Sequence, residues 1–94
     1  MLEVTVTAAD GRRATGGGEV SEDGLVTAVI AAVGMLLEGA PPRVVAVDWT
    51  TANGSRVVTV VLESRGGVIG AGAGLVRASR GYAVARAAWS ALTA

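Results

Sequence analysis

Asn53-Gly54 separates two runs, 44–51 and 56–64, that are rich in Val and Thr, the β-branched residues of strands. Asn-Gly takes positive φ at both central positions of a type I′ turn, and such a turn joins twisted antiparallel strands without splaying them. A two-residue loop here sets Trp49 opposite Val58, Val47 opposite Val60 and Val45 opposite Leu62. All six side chains then share one face, which becomes the core face. The other face places Asp48 beside Thr59 and Val44 beside Glu63, with Ala46 and Val61 between, and is mixed. The chain is thereby committed to an antiparallel sheet.

The flanking segments extend that sheet. Leu2, Val4, Val6 and Ala8 alternate with Glu3, Thr5 and Thr7, the period of a half-buried strand. Asp10-Gly11 predicts a second type I′ turn, and 12–20, with Gly16-Gly17-Gly18, returns as a frayed edge strand. Ser21 then caps a helix, with Glu22 and Asp23 against the positive end of its dipole. Leu25, Val26, Val29, Ile30, Val33, Leu36 and Leu37 repeat at helical spacing until Gly39 and Pro41-Pro42 end it. After the hairpin, a turn centred on Arg65-Gly66 sets Ile69 opposite Leu62 and starts a strand over 68–73. Glycines at 70, 72 and 74 weaken that strand unless something approaches its backbone closely. A last helix is expected over 75–92, with Leu75, Ala78, Tyr82, Ala85, Trp89 and Leu92 lying on the sheet. The order is ββα-βββα, an α+β fold of about five mainly antiparallel strands in one sheet, with two helices on one face. Residues 1–94 make a single domain.

Half of the 94 residues are apolar, but they are small: 18 Ala and 16 Val against 7 Leu, 2 Ile and no Phe. So thin a core invites completion by a second surface, most simply a second copy. With no Cys, neither disulfides nor thiolate metal sites can supply the stability. No basic-then-apolar leader opens the chain, and the longest apolar run, 25–37, suits a buried helix better than a membrane span. Together these point to a cytoplasmic protein. All eight acids fall within residues 1–63, whereas 64–94 carry Arg65, Arg77, Arg80 and Arg86 and no acid.

The richest candidate for chemistry is Gly70-Ala71-Gly72-Ala73-Gly74, ending a strand and opening a helix. A dinucleotide fingerprint needs a third glycine where Leu75 or Arg77 stands, followed by a ribose-binding acid, and both are missing. A phosphate loop needs a lysine, and the chain has none. A simpler anion site remains, in which the amides of Gly72 and Gly74 act with the guanidiniums of Arg77 and Arg80. Catalysis lacks His, Cys and Lys, the usual base, thiolate and Schiff-base residues. The clustered carboxylates Glu19, Glu22 and Asp23 fit a helix start better than a metal, and Asp48 with Glu63 is a remote acid–base pair. No enzyme activity, cofactor or metal is implied.

Residues 57–92 resemble the second half of a double-stranded-RNA-binding domain in their alternating strand, Gly70-Ala71-Gly72 and an Ala-rich helix with Ala83, Ala87, Ala88, Ala91 and Leu92. That family grips phosphates with lysines at the helix start, where only Arg77 and Arg80 stand here. The same stretch, with Val76-Arg77-Ala78-Ser79, is similar to the allosteric domain of isopropylmalate synthases, built from strand-strand-strand-helix units. Neither resemblance covers the first half of the chain. The leading expectation is a non-catalytic interaction module working as a homodimer, without nucleic acid or membrane partners. Behind it stand a regulatory domain for a small anionic ligand, and then an RNA-binding module.

Overall fold

A computed structural model describes residues 2–77 and 79–93. Alternation of Leu2, Val4 and Val6 makes β1 (Leu2–Thr7), which pairs antiparallel with β2 (Arg13–Gly18). Helix α1 (Glu22–Glu38) follows, and then β3 (Arg43–Ala52), β4 (Ser55–Glu63), β5 (Ile69–Val76) and helix α2 (Arg80–Thr93). The strands form two sheets, β1-β2 and β3-β4-β5. The single five-stranded sheet expected from the sequence is therefore corrected. What divides it is the helix layer: α1 packs on β1 and β2, α2 packs on β4 and β5, and the helices touch each other.

The predicted boundaries of α1 are met. The Ser21 hydroxyl accepts the Gly24 N–H at 3.0 Å, and Gly39 closes the helix at φ 72°, donating its N–H to the Met35 carbonyl. One face of α1, with Gly24, Ala28 and Ala32, lies against β2. Another, with Val26, Val29, Ile30 and Val33, joins Val58, Val60 and Leu62 of β4 and Val84 of α2 in one core. Helix α1 thus works on both sides.

The β3–β4 turn has φ of 51° at Asn53 and 77° at Gly54, as a type I′ turn requires. Trp49 pairs with Val58 and Val47 with Val60, as expected. A bulge between Val44 and Ala46 then shifts the register, so Val44 rather than Val45 faces Leu62, and Arg43 rather than Val44 faces Glu63. Leu62 pairs with Gly70, not Ile69, because the third hairpin turns on residues 64–67 with Gly67 at φ 81°. The first hairpin is also wider than a type I′ turn: Gly11 alone takes positive φ, at 91°.

The end of the chain departs most from expectation. Leu75 and Val76 continue β5, and α2 begins at Arg80. Its buried residues are Ala83, Val84, Ala87, Ala88 and Ala91, while Tyr82 is exposed and Trp89 partly so. The predicted stripe was the wrong one; its member Ala78 lies outside the described residues. A Cβ on Gly70, Gly72 or Gly74 would strike the carbonyl oxygens of Ala91, Ala87 and Ala83 respectively. The glycines and alanines are complementary: backbone docks on backbone, and large side chains are turned away.

Candidate functional site

The first and second halves repeat one unit. The pairs Leu2–Gly18, Val4–Gly16 and Val6–Ala14 recur 56 positions later as Val58–Gly74, Val60–Gly72 and Leu62–Gly70. The turns repeat as well. Gly11 donates its N–H to the Ala8 carbonyl and Ala8 donates to Arg12, just as Gly67 donates to Ser64 and Ser64 to Val68. A Cβ on Gly16 would strike the Ala28 carbonyl, as one on Gly72 would strike that of Ala87. Ser21 and Ser79 both cap the helix that follows, accepting the N–H of Gly24 and Tyr82. Each unit is therefore strand, turn, glycine strand and alanine helix. The second has an additional strand, β3, on the outer side of β4.

Where the first unit lacks that strand, the surface opens. A groove of about 570 Å³ lies between β1, α1 and α2. Its floor is Val29 and Val33 of α1. Val4 and Val6 form one wall, and Tyr82, Ala85 and Trp89 the other, with Thr5, Thr7 and Arg86 at the rim. These α2 residues lie opposite the Ala83, Ala87 and Ala91 stripe, so the face of α2 away from the three-stranded sheet is open. Sequence reading placed Tyr82 and Trp89 in the core and missed the groove. The signal that would have found it is the repeat of Gly11, Gly16, Gly18 and Ser21 as Gly67, Gly72, Gly74 and Ser79.

The expected anion site is not assembled around a helix start. Gly72 and Gly74 sit in mid-strand, paired to Val60 and Val58 and covered by α2. Arg77 follows β5 and Arg80 opens α2, both exposed. Asp48 and Glu63 lie on the same outer face of the three-stranded sheet but have separate partners. Asp48 accepts the Thr50 hydroxyl at 3.3 Å, and Glu63 takes two hydrogen bonds from the Arg43 guanidinium. Those bonds hold the Glu63 carboxyl below, and the Arg43 guanidinium above, their ordinary ranges. Asp10 is likewise lowered, chiefly by the backbone N–H of Arg12. The Arg43–Glu63 pair ties neighbouring strands, and the Asp10–Arg12 pair ties a turn. Among the described residues no group of three His, Cys, Asp or Glu is placed to hold a metal, and no buried side chain is polar.

A second uncovered surface is the outer face of the three-stranded sheet. It carries Ala46, Asp48 and Thr50 on β3, Val57, Thr59 and Val61 on β4, and Ile69, Ala71, Ala73 and Leu75 on β5. Ile69 and Leu75 are 59% and 37% exposed. Val44, expected on this face, pairs with Leu62 on the other because of the bulge. No helix of the described chain is long and apolar enough to cross a membrane. No family model, no curated protein and no solved structure matches the chain.

Proposed function

We propose that the protein is a non-catalytic interaction module that works as a homodimer, joined through the outer face of its three-stranded sheet. The observation that carries this reading is the one-sided covering of that sheet: α2 packs on the inner face, and the outer face keeps an apolar field of Val57, Val61, Ile69, Ala71, Ala73 and Leu75. Charge is confined to Asp48, bonded to Thr50, and to the Arg43–Glu63 pair at one end. Two such faces stacked as aligned sheets would bury that field and thicken a core otherwise made of Val and Ala. The absence of His, Cys and Lys from the sequence supports a role in association rather than catalysis. No specific observation favours the anion-binding or RNA-binding alternatives, since Gly72 and Gly74 are engaged in packing.

Sedimentation equilibrium at micromolar concentration tests this directly. The expected result is a dimer that Val61→Arg converts to a monomer with unchanged far-UV circular dichroism. A wild-type protein that is monomeric at tens of micromolar overturns the reading.

A further inference from the structure

We infer that the groove beside β1 is a docking site for one extended segment of another polypeptide, which adds to the free edge of β1 as an antiparallel strand. The inference rests on the repeat and is independent of the dimer through the other sheet. In the second unit the equivalent place is filled, and its occupant is visible: β3, bonded along the outer edge of β4. Val60 and Leu62 of β4 correspond to Val4 and Val6 of β1. The edge that receives β3 belongs to Val57, Thr59 and Val61, whose counterparts in the described first unit are Glu3 and Thr5.

The backbone of β1 is poised in the same way. Hydrogen-bonded and non-bonded pairs alternate along an antiparallel ladder. Ala8 donates to the Arg12 carbonyl, so the alternation directs Val6, Val4 and Leu2 toward β2. Glu3, Thr5 and Thr7 are left with their N–H and C=O groups pointing outward, and among the described residues β1 has no second neighbour. Edge addition uses such groups for affinity and alternate side-chain pockets for selection.

The side-chain surface matches as well. Matching the docked alanines, Ala28 with Ala87, puts Val26 and Ile30 of α1 in correspondence with Ala85 and Trp89 of α2. Val26 and Ile30, on the helix of the first unit, belong to the core against which β3 of the second unit packs Val47 and Trp49, both half-buried. Ala85 and Trp89, on the helix of the second unit, border the groove beside β1 of the first. The occupant is therefore β3-like: an extended segment turning alternate apolar residues toward Ala85 and Trp89. A second copy suits the site less well, because its strands already carry helices or core residues on the face that would meet α2.

A synthetic peptide of residues 43–52 is the natural probe, titrated into isotope-labelled protein and followed by amide chemical shifts. Shifts are expected at Glu3, Thr5, Thr7 and the Trp89 indole N–H. Thr5→Pro removes an outward N–H without touching the β2 ladder, and Ala85→Arg fills the groove. Each is expected to weaken the peptide by about tenfold or more, the scale of one lost hydrogen-bonded or packing contact. Circular dichroism checks that both variants fold, and Ala85→Arg serves alone if the proline does not. No shifts, shifts confined to Val57, Thr59 and Val61, or equal affinity in both variants would overturn the proposal. So would small apolar molecules competing for the groove with an affinity that Thr5→Pro leaves intact, since they need no strand edge. A dimer dissociated by Thr5→Pro would assign the edge to a second copy and also overturn it, whereas Val61→Arg reports only on the other sheet.

Discussion

A missing Cβ decides more of this structure than any large side chain. Gly72 lies where a methyl group would meet the Ala87 carbonyl and the Ala91 N–H, both backbone atoms of a helix that cannot yield locally. Gly72→Ala must therefore lift α2 from β5 or bend the strand, and overpacking of this kind costs about 1–3 kcal/mol or more. Gly66, six residues earlier in the turn, has open space around it. Gly66→Ala is expected to change stability by less than about 0.5 kcal/mol, as surface substitutions generally do. Urea denaturation of the two variants checks the pair; equal losses would mean that the helix does not rest on the strand. At this scale the sequence was half legible. The glycines at 70, 72 and 74 announced a close approach, but not that Ala83, Ala87 and Ala91 make it. Large residues usually mark the buried stripe, and here Tyr82 and Trp89 pointed to the wrong one.

Of the two helices, the one with complete end signals forms where the sequence predicts it, and the one without them does not. Helix α1 has a serine before it, a glycine after it and prolines beyond, and it occupies the span those residues predict. The β3–β4 hairpin is set by Asn53-Gly54, and only the bulge past Val44, which has no local sequence mark, displaced the pairing. Helix α2 was begun too early because Leu75 and Val76 suit either element. The residue that starts it is Ser79, whose hydroxyl accepts the Tyr82 N–H at 3.1 Å. Its counterpart Ser21 does the same for α1. Ser21→Ala leaves the Gly24 N–H without that acceptor and is expected to cost about 1 kcal/mol, the usual worth of a side-chain N-cap. Ser21→Asp, which retains an acceptor and adds favourable charge at the helix start, is expected to recover most of it. Thermal unfolding of the two variants distinguishes a cap from a merely tolerated serine: equal melting temperatures would remove the cap from the account.

At the scale of the whole molecule, two sheets share one core through a single helix. Val29, Ile30 and Val33 of α1 are 1%, 1% and 0% exposed, and they belong to the same cluster as Val58, Val60 and Leu62 on the far sheet. The β1-β2 hairpin alone offers α1 a strip of glycine backbone on β2 and the side chains of Val4 and Val6 on β1, too little to stabilise a two-stranded sheet in water. The three-stranded sheet in turn relies on α1 to cover what α2 leaves. Neither half has an independent core, although the repeat makes each look like a unit. Ile30 sits at the join, so Ile30→Ala removes buried volume from both halves and should cost about 2–5 kcal/mol. Its loss should be felt at once by probes in different halves: far-UV circular dichroism, which weighs both helices, and the fluorescence of Trp49, in a Trp89→Phe background, which reports on the β3–β4 hairpin. Coincident transitions, shifted together to lower denaturant, are the expected result for one cooperative domain. Separated transitions, with the hairpin signal unmoved by Ile30→Ala, would show instead that the three-stranded sheet and α2 fold without the first unit.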